Sequence, residues 1–146
     1  KSPDIRGFQI ASPSLLGLRC VNVSCEMVKQ AGLKEIAKKA QTGTELMIDL
    51  YDEWLKDLGF VLMTSRDRKK RGGHISLMHE HAKNISVALR QFQRVIVDYR
   101  TPNQIRVAIS PLAMSYDEIY RGMEKIKESV VRKDYLQGRD NLSEVT

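Results

Sequence analysis

The sequence predicts an α+β domain: a small, mostly antiparallel sheet with helices on one face, preceded by two helices. Three observations point there. Two long stretches of helical periodicity come first, from Ser14 to about Ala31 and from about Leu33 to Leu58. Four short segments of strand-like composition follow in two pairs, and a helical stretch succeeds each pair. Within the last of these segments Ile105, Val107 and Ile109 alternate with Arg106 and Ala108. A period-2 strand then sends three branched apolar residues to one face and a guanidinium to the other. Arg106 therefore meets water, a carboxylate or a ligand, because a charge that cannot be shed is rarely left against apolar surface. One alternative is that Arg106 merely pairs with a neighbouring acid, such as Asp98 across the hairpin.

Each element has its own signal. In the first helix Leu18, Val21, Cys25 and Val28 fall at helical spacing, and Gly32 stops it. In the second, Ile36, Ala37, Ala40, Met47, Leu50, Trp54 and Leu58 form a broad stripe, Gly43 loosens the middle and Gly59 ends it. FVLMTS (60–65) and HISLMHE (74–80) read as strands joined by a basic loop. Residues 81–93 return to helix through Ala82, Ile85, Leu89 and Phe92. VIVDYR (95–100) and QIRVAIS (104–110) are strands around a Thr-Pro-Asn turn, in which Pro102 presets φ. Ser115 and Glu118 make the Ser-x-x-Glu capping box of a last helix with core positions Ile119, Met123, Ile126 and Val130.

With 146 residues, 42% of them hydrophobic, the chain can bury one core and suits one domain. It begins at Lys1 and ends in a polar stretch, and it looks excised from something longer, with a lead-in segment at 1–13 and a polar tail at 132–146. No run approaches a membrane span and none resembles a signal peptide, so a cytoplasmic protein without membrane contact is expected. Cys20 and Cys25 lie five apart on a helix and face different ways, which argues against a disulfide and fits a reducing compartment. The net charge of +6 is concentrated in residues 65–73, where Arg66, Arg68, Lys69, Lys70 and Arg71 crowd together. No aromatics are interleaved there, as single-strand stacking needs, so the run reads as a solvated loop and not a nucleic-acid site.

The chain shows no complete active site of its own. His79 and His81, two apart at a strand-to-helix junction, make a poor metal chelate without a third ligand, and no metal site is expected. His74 alternates with Ser76 and Met78 on a strand and reads as a hydrogen-bonded structural histidine. Cys25 fits an apolar stripe and reads as a core thiol. There is no glycine-rich phosphate loop, no Gly-x-Ser-x-Gly elbow, and no lysine placed to be desolvated as a Schiff-base lysine must be.

Several ordered motifs nevertheless resemble one family. They are Arg71-Gly72-Gly73-His74-Ile75-Ser76-Leu77, Val95-Ile96-Val97-Asp98-Tyr99-Arg100-x-Pro102, and Ile105-Arg106 leading to Pro111-Leu112 and a capped helix. They are similar to the Arg-Gly-x-His-(Val/Ile)-Ser-Leu, Val-Ile-x-Asp-(Phe/Tyr)-Arg and Ile-Arg strands in the C-terminal part of the kynureninase family. Upstream, GFQIASPSLL resembles that family's proline-containing entrance to a helix, and AGLKEIAKKA its next segment. The resemblance runs to about residue 131.

It implies the C-terminal domain of a fold-type I enzyme that uses pyridoxal 5′-phosphate. Such an enzyme is a homodimer, cleaves L-kynurenine or 3-hydroxykynurenine to an anthranilate and L-alanine, and belongs to tryptophan catabolism. By the same resemblance Arg106 binds the α-carboxylate of the amino-acid substrate, and Ser12, standing where the family has Thr or Asn before proline, contacts the cofactor phosphate. The Schiff-base lysine, the aspartate that pairs with the pyridine nitrogen and most phosphate ligands are expected in a large domain upstream. The fragment alone is thus expected to be inactive and not to bind the cofactor. Ala113 departs from the aromatic that usually follows Pro-Leu, and Ser12 from the usual Thr or Asn. Two alternatives remain: the small domain of another class-V aminotransferase or desulfurase-like enzyme, and a basic RNA-binding α+β module.

Overall fold

The computed structural model describes residues 3–8 and 11–137. The chain divides into two compact units, Lys1–Glu35 and Ile36–Thr146.

In the first unit a short 3-10 turn, Ile5–Phe8, precedes helix α1, Leu15–Ala31. Ser14 starts the helix, its Oγ accepting the Gly17 N–H at 3.1 Å. Gly32 ends it as predicted, at φ 80°, with its N–H bonded to the Val28 carbonyl. No residue of α1 is buried. Cys25 is accordingly exposed and is not the core thiol its stripe suggested; helical periodicity shows which residues share a face, not whether anything covers it.

Helix α2, Leu33–Leu50, leads into the second unit. It continues through wider π-type turns, Tyr51–Leu55, and a tighter 3-10 turn, Lys56–Leu58, to a left-handed Gly59 at φ 86°. The expected extent to Leu58 holds, but the helical geometry changes on the way. Gly43 does not loosen α2. A Cβ there would stand 2.6 Å from Ile109 Cδ1 and 3.0 Å from Ile119 Cδ1, so the missing side chain makes room for two core isoleucines.

The remaining elements are β1 (Val61–Leu62), β2 (His74–Met78), α3 (Ala82–Ala88), β3 (Asp98–Arg100), β4 (Gln104–Ala108) and α4 (Tyr116–Val131). The four strands pair antiparallel throughout, in the order β1-β2-β4-β3. All four are shorter than their sequence segments, β1 and β3 the most, for local reasons. After the Met63 N–H has bonded the Ser76 carbonyl, the Ser76 N–H turns to the Thr64 hydroxyl at 2.8 Å, and a side chain replaces the ladder. The Val95 N–H closes back on the Leu89 carbonyl, so residue 95 finishes the preceding helix instead of opening a strand. That helix runs on from α3 in π-type turns, Leu89–Gln93, which shift its phase and leave Phe92 51% exposed instead of in the core.

The core is built as the alternation predicts. Ile75, Leu77 and Ile105 of the sheet meet Met47 and Leu55 from the α2 segment, Ile85 and Leu89 from the α3 segment, and Ile119, Met123 and Ile126 of α4. The last helix is fixed at its start by the capping box: Ser115 Oγ accepts the Glu118 N–H, and Glu118 Oε2 accepts the Ser115 N–H at 2.7 Å. Past α4, Asp134–Leu136 form a short 3-10 turn whose Tyr135 ring stacks on His81. The rest of the expected tail, 138–146, lies outside the described residues. Among the described residues no helix is long and apolar enough to cross a membrane.

Candidate functional site

Burying Ile105 completely between the sheet and its helices forces the next residue of β4 outward. Arg106 thus stands on the open face of the sheet, its side chain 34% exposed. The ladder sets its neighbours. Asp98 of β3 lies directly opposite on one side and Ser76 of β2 on the other.

Asp98 Oδ2 accepts from Arg106 Nε at 2.8 Å and from Arg106 Nη2. The same oxygen accepts from Arg100 Nε at 3.1 Å. These bonds, first those from Arg106, hold the Asp98 carboxyl below the usual carboxylate range. Arg106 Nη1 is bonded to no described residue. On the other side the Ser76 hydroxyl donates to Gln104 Oε1 at 2.7 Å. A polar hollow of about 480 Å³ opens beside them, lined by Thr64, Arg71, His74, Ser76 and Gln104. His74 is exposed there, its ring bonded to no described residue, and is not the hydrogen-bonded structural histidine expected. A planar cation gripped on one edge and free on the other can pair with a carboxylate that approaches the open face.

Ser12, in the first unit, is exposed and its hydroxyl has no bond among the described residues. It follows that the hydroxyl is available as a donor. Cys20 and Cys25 are free thiols, both exposed, and line an apolar hollow with Val21, Val28 and Leu33.

The basic loop is less solvated than its composition implies. Arg66 makes a two-bond fork with Asp52 at 2.6 and 2.7 Å, and Arg68 pairs with Glu45. The Arg71 side chain is 1% exposed and donates to Thr44 Oγ1, the Arg66 carbonyl and Glu45 Oε2. No sequence signal links Glu45 to a loop more than twenty residues on, so this cluster was not legible. His79 is 6% exposed, and both ring nitrogens are engaged. Nε2 donates to the Leu58 carbonyl at 3.2 Å and Nδ1 accepts the His81 N–H at 3.0 Å. It has no lone pair left for a metal. Among the described residues no group of His, Cys, Asp and Glu is placed to hold an ion.

Residues 36–126 match the family model of the kynureninase C-terminal domain, starting where the second compact unit starts. The chain is 36% identical over 128 residues to a kynureninase of Geobacillus thermodenitrificans (strain NG80-2), covering 88% of this chain and 30% of that protein. It is 35% identical over 130 residues to a kynureninase of Bacillus thuringiensis subsp. konkukian (strain 97-27), covering 89% and 30%. A kynureninase of Shouchella clausii (strain KSM-K16) is 31% identical over 120 residues, covering 82% and 28%. The chain thus spans less than a third of the length of the curated relatives it matches.

Proposed function

The chain belongs to the kynureninase C-terminal domain family, and from that premise we propose that it supplies the substrate-carboxylate site of a hydrolase acting on L-kynurenine or 3-hydroxykynurenine. The observation that carries this reading is Arg106, fixed at the middle of β4 on the open face, one edge held and Nη1 bonded to no described residue. Kynurenine is an α-amino acid with an aryl ketone. Fork-to-carboxylate pairing holds its amino-acid end at a set distance and angle, which turns an encounter into a reactive pose.

In the proposed full-length enzyme, a homodimer in the cytoplasm, pyridoxal 5′-phosphate supplies the electron sink for breaking the bond that releases alanine. The exposed Ser12 hydroxyl fits one donor to its phosphate and supplies no more than that. The remaining cofactor contacts come from outside this chain, which is why the chain alone is proposed to be inactive. Internal pairing of Arg66, Arg68 and Arg71 supports this reading over nucleic-acid binding, since it leaves fewer cations for phosphates.

The test is steady-state kinetics of the full-length polypeptide on kynurenine and 3-hydroxykynurenine, with Arg106→Lys beside the unaltered protein. Lysine keeps the charge and loses the fork, so kcat/KM falls roughly tenfold to a hundredfold, the worth of a charge-assisted hydrogen bond. Unchanged kcat/KM on every amino acid tried removes Arg106 from the site.

A further inference from the structure

The pairing of Arg106 with Asp98 has two readings: a surface ion pair that only ties the hairpin together, or a device that aims the guanidinium. An arginine offers two planar edges, Nε with one terminal nitrogen, and the two terminal nitrogens together. Asp98 takes the first edge whole, on a single oxygen. It leaves the end of the fork unblocked, with Nη1 bonded to no described residue. Asp98 and Arg106 are also exact cross-strand partners, so the carboxylate is placed by the ladder and not by a flexible loop. Arg100 donates to the same Oδ2, so that Arg106 first and Arg100 after it keep Asp98 ionised. Half-exposed ion pairs contribute little to stability, so tying the hairpin is a weak explanation for three donors converging on one oxygen.

Resting on the carboxylate reading above, we propose that Asp98 is a positioning residue: it holds Arg106 by its Nε–Nη2 edge so that the terminal fork faces the open side and receives the substrate carboxylate. Asp98 itself touches no substrate. Its effect passes through Arg106, and an arginine released from it samples other rotamers and pairs with the carboxylate in fewer of them.

The experiment is a double-mutant cycle in the full-length polypeptide, with Asp98→Ala, Asp98→Asn and Arg106→Lys, alone and combined, read by kinetics on kynurenine and by thermal melts. Asp98→Ala is expected to lower kcat/KM on the order of tenfold, mainly through KM, as a small misplacement of a binding group does. Asp98→Asn, which keeps one acceptor oxygen, recovers part of the loss. In the Arg106→Lys background Asp98→Ala adds almost nothing, because lysine has no Nε–Nη2 edge to hold. A merely structural aspartate would instead lower the melting temperature and leave kcat/KM alone, or lower it additively with Arg106→Lys. Either outcome, with Arg106→Lys itself impaired, overturns the positioning role and spares the carboxylate site. Unimpaired Arg106→Lys overturns both.

Discussion

Arg71 Nη2 donates to Glu45 Oε2 at 2.8 Å from a side chain only 1% exposed, while the carboxylate it reaches is 40% exposed. A loop arginine is therefore buried and ties its loop down to α2. Arg68 shares the same carboxylate, and Arg66 is committed to Asp52. The five-cation run thus resolves into three anchors, with Lys69 and Lys70 left over.

The anchors and the remainder should separate in stability. Arg71→Met removes the part-buried bonds to Thr44 Oγ1 and Glu45 Oε2 and costs on the order of 1–3 kcal/mol. Lys69→Ser with Lys70→Ser stays within about ±0.5 kcal/mol. Urea unfolding of the three proteins checks this, and equal effects would mean that the loop is not anchored through Arg71.

His79 gives a pH dependence with a definite sign. Burial holds its pKa below the ordinary histidine value, and the bond to the Leu58 carbonyl only partly opposes that. Well above the ordinary value of about 6.5 the ring is neutral in both folded and unfolded chains. As pH falls below that value, the unfolded chain takes a proton that the folded chain refuses, so stability drops until the folded pKa is passed. Chemical denaturation between pH 7.5 and 5 should show this loss, His79→Gln should reduce it, and an NMR titration should place the His79 ring below the ordinary value. A ring that titrates higher than that would contradict the burial argument.

How much of this was legible before the fold was seen depends on the distance over which each signal acts. The capping box of α4, the stop at Gly59 and the outward turn of Arg106 are local, decided by residues within four positions, and all were readable. What failed needed tertiary information. Gly43 looked like a flaw in a helix because the two isoleucines that fill its space lie far along the chain. Phe92 kept its period on paper, but the helix widened beneath it. Cys25 sat on an apolar stripe that nothing in its own unit buries. At the site, Arg106 could be placed from β4 alone, whereas the grip on its Nε–Nη2 edge depended on the register of β3 against β4.

The capping box makes a further prediction. Ser115→Ala removes the acceptor for the Glu118 N–H and should cost about 1 kcal/mol, while Ser115→Asp, which still caps, should retain most of it. Unfolding midpoints at neutral pH decide it, and an alanine variant as stable as the parent would show that the box is not needed to start α4.

Acid should weaken the protein slightly through Asp98, as a half-exposed pair does. Its folded pKa is depressed, mainly by the bonds from Arg106, so the stabilising contribution is present above the ordinary aspartate value near 4 and is lost as pH falls through the folded value. Glu45, Asp52 and Glu118 are depressed as well, so the acid arm of the stability curve is shared. Asp98→Asn removes one share and should flatten that arm without altering its onset from the other three. Arg106→Lys keeps a charge beside Asp98 but not the fork, so it should flatten the arm less than Asp98→Asn does. Salt separates the contributions further: Asp52 and Asp98 owe their shifts to arginines near the surface and should be screened, whereas Glu118 is held chiefly by the backbone N–H of Ser115 and should not. Denaturation curves from pH 5 to 2 at low and high salt measure all three effects. An acid arm identical in the parent and in Asp98→Asn would show that Arg106 does not hold this carboxylate in solution, and that the guanidinium is free on both edges.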